Sequence, residues 1–201
     1  MSEKFKAALE ARIKAVKDAN KKVVKVGIVE HQHYDDGTPV AYIASIHEYG
    51  GIFTVPARQA TIYRQIDKNG EWTQKNGSRF VSKKKSNFAT EVTIPAHTIT
   101  IKPRPFFRPA FSNNRKKWRK QISNLLKQGY SVEEALELIG DVAAGDVFEA
   151  LSQVETPKLS ESTIKAKERR YKSKSAYRPD KPLFASGLLS ESISYVIEDK
   201  E

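Results

Sequence analysis

Apolar positions at the start of the chain recur with helical spacing: Phe5, Ala8, Leu9, Ile13 and Val16 share one face and lysines fill the other. This pattern predicts an amphipathic helix over residues 2–20. The β-branched run over 23–29 reads as a buried strand, and 31–39 as a loop turning at Asp36-Gly37. Residues 40–49 return to helical spacing, with Tyr42, Ile43 and Ile46 on one side and Gly50-Gly51 closing the helix. From 53 to 101 the period drops to two. Strands are predicted over 60–66, 79–81, 88–93 and 97–101, with a turn at Asp67-Lys68-Asn69-Gly70, Trp72 just beyond it, and a basic loop over 82–87.

Helical spacing resumes over 112–127, where Trp118, Ile122, Leu125 and Leu126 form the stripe. Ser131 and Glu134 make a capping box for a long helix that runs to residue 154 and is stopped by Thr156-Pro157. Gly140, Ala144 and Gly145 leave room on it for a close neighbour. A helix over 160–170, a mobile loop over 171–180, and a short helix over 188–192 capped by Ser186 and entered through Gly187 come next. Ile193, Tyr195 and Ile197 alternate in a last strand, expected to pair with 23–29.

These elements predict an α+β fold, a single domain over 1–201: a small mixed or antiparallel sheet packed by the N-terminal and central helices. An inserted β-hairpin arm covers 59–101, and a basic mobile segment covers 156–182. The arm leaves the chain at Val55-Pro56-Ala57-Arg58 and returns at Lys102-Pro103-Arg104. From Lys102 to Phe111 three prolines fix φ and remove backbone donors, which predicts a stiff extended rod presenting Arg104, Arg108 and three phenylalanines.

Composition narrows the class. With 201 residues and 39% hydrophobic, the chain can bury a real core. There are no cysteines, so disulfides and thiolate metal sites are excluded, which fits a reducing cytoplasm. Met1-Ser2-Glu3-Lys4 opens no apolar signal core, and no run nears the roughly 18 apolar residues of a membrane span. The net charge of +11 suits contact with a polyanion as well as it suits a basic solvated surface.

Catalytic chemistry finds little support. His31 and His33 could share one face of an extended chain as a metal pair, with Glu30, Asp35 and Asp36 nearby, but solvated loop histidines explain them better. His47 and Glu48 are adjacent on a helix and do not face each other, so Glu48 reads as a structural anion holding an arginine or capping a turn. Ser186-Gly187 lacks the preceding glycine of a nucleophile elbow. Neither an enzyme nor a cofactor is expected. Two cation clusters point elsewhere: Arg115-Lys116-Lys117-Trp118-Arg119-Lys120, and Lys165, Lys167, Arg169, Arg170, Lys172 and Lys174. They could neutralise phosphates without reading sequence, making a basic nucleic-acid-binding module the alternative function. A solvated helix face with Trp118 in the core explains the first cluster more simply.

Three blocks together resemble a known family. Ala41-Tyr42-Ile43-Ala44-Ser45-Ile46-His47-Glu48-Tyr49-Gly50 is similar to the A-x-x-A-x-x-x-E-[FY]-G element of tailed-phage virion-morphogenesis proteins. Val55-Pro56-Ala57-Arg58 together with Arg104-Pro105-Phe106-Phe107-Arg108-Pro109-Ala110 resembles that family's iPaRPFfRpa block, here split by the β insertion. Leu159-Ser160, Thr163-Ile164 and Lys167, then Lys181-Pro182-Leu183, Ser186-Gly187, Leu189, Ser192-Ile193 and Tyr195, look like its ending, with Ser186 where threonine is commoner.

The family includes the Mu-like virion-morphogenesis and lambda minor-tail-Z groups. The resemblance implies a virion structural protein of a phage or prophage that completes the neck or upper tail. It would be assembled in the host bacterial cytoplasm as a homo-oligomeric ring, a hexamer for preference, at the head–tail junction. Its implied partners are the head–tail connector and the tail-tube or tail-terminator proteins, with possible non-specific contact to genome DNA and no membrane. The structural and interface residues it implies are Glu48, Tyr49, Gly50, Arg58, Arg104, Pro105, Phe106, Phe107, Arg108, Ser186, Gly187 and Leu189. Glu48 is expected to pair with Arg58 or Arg104, Phe106 and Phe107 to divide between core and interface, and Arg108 and the arm to meet a neighbour. Arg115, Lys116, Lys117, Arg119, Lys120, Lys167, Arg169 and Arg170 are the candidate DNA or anion contacts.

Overall fold

The computed structural model describes residues 3–19, 21–29, 31–71, 73, 81–171 and 180–200. In chain order its elements are α1 (Glu3–Ala19), β1 (Lys22–Ile28), α2 (Val40–Tyr49), β2 (Gly51–Val55), β3 (Arg58–Arg64), β4 (Phe88–Ile94) and β5 (His97–Ile101). They continue with α3 (Phe107–Lys127), α4 (Val132–Ser152), α5 (Glu161–Tyr171), α6 (Leu188–Glu191) and β6 (Ile193–Asp199). The fold is α+β, with small two-stranded antiparallel sheets. Two compact units divide the chain: Met1–Gly50 with Lys102–Glu201, and Gly51–Ile101.

In the larger unit, β1 and β6 pair antiparallel from Lys22↔Asp199 to Ile28↔Ile193. The pairing joins the expected partners, because both runs are β-branched and offer matching apolar faces. α4 packs on this ribbon. Its start is fixed by the Ser131 hydroxyl accepting the Glu134 amide at 3.2 Å while the Glu134 carboxylate accepts the Ser131 amide at 2.7 Å. Ala135, Ile139, Gly140, Ala143, Val147 and Leu151 are buried along one side of α4. At Gly140 the Tyr195 ring lies where a side chain would go: an added Cβ would come within 2.2 Å of it. The close approach expected at Gly145 does not occur, and nothing lies within 4 Å of an added Cβ there.

Two clusters make the core. One gathers Val40, Ala44, Phe106, Ala110, Val147, Leu151, Phe184 and Leu189, and the other joins Trp118 to Ile139 and Ala143. Trp118 is therefore a core residue. Its indole N–H donates to Asp146 at 2.6 Å, which satisfies the one polar atom it buries.

The smaller unit is one long antiparallel ribbon in two pieces. Gly51↔Ile101 to Val55↔His97 and Arg58↔Ile94 to Arg64↔Phe88 keep the same register. The break falls at Pro56, whose register partner is Ala96, and at Pro95, whose register partner is Ala57, since neither proline has an amide to give the ladder. Beyond β3, the Asp67 carboxylate accepts the Asn69 and Glu71 amides, and the Asn87 side chain bonds both backbone groups of Ile66. The predicted strand at 79–81 falls, apart from Val81, outside the described residues, as does Trp72.

Three further expectations change. The rod over 102–111 is not extended throughout, because α3 begins at Phe107 and takes Pro109 into its first turn. Proline is tolerated there, where its missing donor would have no partner in the helix. α1 forms but leaves its apolar stripe open, with Phe5, Leu9, Ile13 and Val16 each about half exposed. Within 156–182 the expected helix forms over Glu161–Tyr171, but its Lys167, a candidate anion contact, is buried; residues 172–179, and with them Lys172 and Lys174, lie outside the described residues.

Candidate functional site

The site begins with a helix that starts on a Pro-Phe-Phe-Arg-Pro sequence and so has no side chain of its own to cap it. The first amides of a helix lack intrahelical acceptors and carry the positive end of its dipole, so they call for an anion. Glu48, on the last turn of α2, supplies it. One carboxylate oxygen accepts the amides of Phe106 at 2.7 Å and Phe107 at 3.0 Å, and the other accepts the Arg108 amide at 3.1 Å. Pro109 has no amide, and the Ala110 amide bonds the Phe106 carbonyl. Every donor of the first turn is accounted for.

Arg108 closes the arrangement. Its Nε donates to the Glu48 carboxylate at 2.9 Å and its Nη2 to the Glu48 backbone carbonyl at 2.7 Å. The guanidinium lies 5.0 Å from the centre of the Tyr49 ring. Glu48 is buried while the Arg108 side chain stays 58% exposed, so the pair runs from the core to the surface. Burial by itself pushes the Glu48 carboxyl up, and it is the largest single influence. The hydrogen bonds from the Phe106 amide, the Arg108 side chain and the Arg108 and Phe107 amides together outweigh it, holding the group below the usual carboxylate range.

The expected pairing of Glu48 with Arg58 or Arg104 is thus replaced by one with Arg108. The reason is geometric: helix onset at Phe107 puts the Arg108 amide and side chain on the same carboxylate. Arg104 does different work, donating through Nε and Nη2 to the Pro157 carbonyl at 3.3 and 3.0 Å, while its amide bonds the His47 carbonyl at 2.6 Å. His47 is held below its ordinary pKa by burial and then by the Arg104 charge. Arg58 begins β3 and is exposed. Gly50 ends α2 at φ 73°, with its amide on the Ile46 carbonyl at 2.7 Å.

The third block meets the first two in the core. Leu189 packs in the cluster that holds Ala44 and Phe106, and Phe107 packs against that cluster. Gly187 takes φ 90° at the entry of α6, and the Ser186 hydroxyl accepts the Leu188 amide at 3.3 Å. Ser186, Leu189, His47, Thr163 and Lys167 also line a cavity of about 750 Å³.

The candidate anion contacts separate. Arg115, Lys116, Arg119 and Lys120 are exposed along α3. Lys117 is paired with Asp146 at 3.0 Å. Lys167 is withdrawn from any surface role, being 7% exposed with its amine donating to the Lys181 carbonyl at 2.7 Å; burial lowers its pKa. Arg169 and Arg170 are exposed on α5. His33 turns Nδ1 toward the His31 carbonyl at 3.0 Å, Glu30 lies outside the described residues, and among those described no group of three His, Cys, Asp or Glu is placed to hold a metal.

The Arg108 anchor was missed in sequence, because proline on both flanks of Phe-Phe-Arg suits an extended segment and a first helical turn alike. No family model matches the chain, and no curated protein or solved structure is found similar to it. No helix is long and apolar enough to cross a membrane among the described residues.

Proposed function

We propose that this chain is a virion structural protein of a tailed phage or prophage, completing the neck or upper tail as a ring at the head–tail junction. The observation that carries the reading is the Glu48 clamp. The glutamate of the first block holds the backbone and arginine of the second, and Leu189 of the third packs in the same core. Residues that resemble family blocks far apart in sequence thus serve one construction. Its outer end is an arginine fixed by a carboxylate and an aromatic ring, the kind of preorganised side chain that anchors protein interfaces. The proposed partners are further copies of the chain, six for preference, and the connector and tail-tube or tail-terminator proteins.

Light scattering across a concentration series, with electron microscopy of the product and binding to connector and tail-tube rings, tests this. Rings that dock on either neighbour are expected. A strict monomer that joins neither overturns the reading.

A second reading rests on the exposed cations of α3. Arg115, Lys116, Arg119 and Lys120 could follow a phosphate backbone, giving duplex binding that weakens steeply with salt. A duplex titration in a salt series decides it, and no binding at low salt removes it.

A further inference from the structure

The charge of this chain is divided between neighbouring elements. α4 carries Glu133, Glu134, Glu137, Asp141, Asp146 and Glu149 and no lysine or arginine, in a chain of net charge +11. Glu134, Glu137 and Asp141 lie on its exposed side, and on that side Leu138 and Phe148 are 41% and 45% exposed. α1 is on balance basic, with Lys4, Lys6, Arg12, Lys14 and Lys17 against Glu3, Glu10 and Asp18. Its open stripe of Phe5, Leu9, Ile13 and Val16 is bordered by exposed Lys6 and Lys17. The helix is fastened to its own chain by Arg12 donating to the Leu126 carbonyl, and that contact leaves the stripe bare.

From these surfaces we propose that the apolar stripe of α1 seats on the acidic outer face of α4 in a second copy of this chain. The inference rests on the ring reading and names its contact surface. Three features favour it. The two helices are complementary in charge: α4 carries acids alone, with Glu134 and Asp141 set between Leu138 and Phe148, and the α1 stripe is flanked by Lys6 and Lys17. They match in length: Phe5 to Val16 spans about 16 Å of helix and Leu138 to Phe148 about 15 Å. Both stay about half exposed within one chain, although α1 touches its own α4 and the Phe148 ring sets its edge against Phe184 at 6.2 Å. The symmetric alternatives fail. α4 on α4 opposes like charges, and α1 on α1 leaves the acidic apolar face uncovered. A contact between two different faces is heterologous, the type that closes into a ring by rotation.

The absence of cysteine permits a clean test. Leu9→Cys and Leu138→Cys, both at exposed positions, are made in separately tagged copies, mixed, and treated with a short bifunctional maleimide. Cross-links between an L9C copy and an L138C copy are expected to dominate over L9C–L9C and L138C–L138C. E137K/D141K should weaken self-association about tenfold or more. Adding K6E/K17E to it should restore self-association, with far-ultraviolet circular dichroism unchanged in both. Symmetric cross-links, cross-links within one L9C/L138C chain at high dilution, or self-association indifferent to the reversals overturn the inference. If the wild type still forms rings in those cases, the contact surface alone is wrong. A wild type that is monomeric throughout overturns the ring reading with it.

Discussion

Glu48 and Arg108 cap each other's segments: the carboxylate takes the amides that begin α3, and the guanidinium takes the carbonyl of Glu48 near the end of α2. The contributions are unequal. Removing the carboxylate strands three amides and a buried helix start, whereas removing Arg108 leaves the carboxylate its amide bonds. Glu48→Ala should therefore cost roughly 3 kcal/mol or more in urea denaturation, and Arg108→Ala only about 1 kcal/mol, given its exposed side chain. Arg108→Ala should instead lower ring formation. Equal losses for the two variants would show that the ion pair, not the helix cap, dominates.

The same carboxylate sets an acid limb. Its folded pKa lies below the ordinary 4.5, so as pH falls the unfolded chain takes up the proton first. The stabilisation is complete above about pH 4.5 and is lost as pH drops through the folded value. His47 adds an earlier loss: its pKa is depressed from 6.5, so the unfolded chain protonates first below that pH. Urea midpoints from about pH 7 to pH 3 should fall in two stages. Glu48→Gln should flatten the lower stage, and His47→Gln the upper.

Gly140 and Gly145 should respond to alanine in opposite directions. Glycine to alanine in a helix gains about 0.5–1 kcal/mol. At Gly145 nothing opposes that gain, and the melting temperature should rise. At Gly140 the Tyr195 ring must move, and overpacking of about 1–3 kcal/mol wins. Calorimetry on dilute samples of both variants checks the signs, and Gly140→Ala combined with Tyr195→Ala should recover part of the loss.

The Gly51–Ile101 ribbon should be removable. Gly51 and Ile101 are cross-strand partners about 5 Å apart, so the residues that flank them, Gly50 and Lys102, can be joined by a short glycine turn. The shortened chain should keep a cooperative melt and the hydrogen-exchange protection of β1 and β6. A chain that no longer folds would show that the larger unit depends on the ribbon.

What the sequence determined by itself follows from local rules. The capping box at Ser131, the pairing of β1 with β6, the close approach at Gly140 and the placement of Trp118 in the core each rest on a period, a cap or a residue size that near neighbours dictate. Glu48 was legible as a structural anion for the same reason: a charge on the closing turn of an apolar helix needs partners. Its partner was not legible, because proline suits an extended segment and a first helical turn equally, and only a distant acceptor decides between them. Tertiary structure made that decision when α2 brought the Glu48 carboxylate to the amides of Phe106, Phe107 and Arg108. It also decided that Lys167 is buried and that the stripe of α1 stays bare. Periodicity says which face of a helix is apolar; what covers that face depends on where the rest of the chain, or another copy of it, comes to lie.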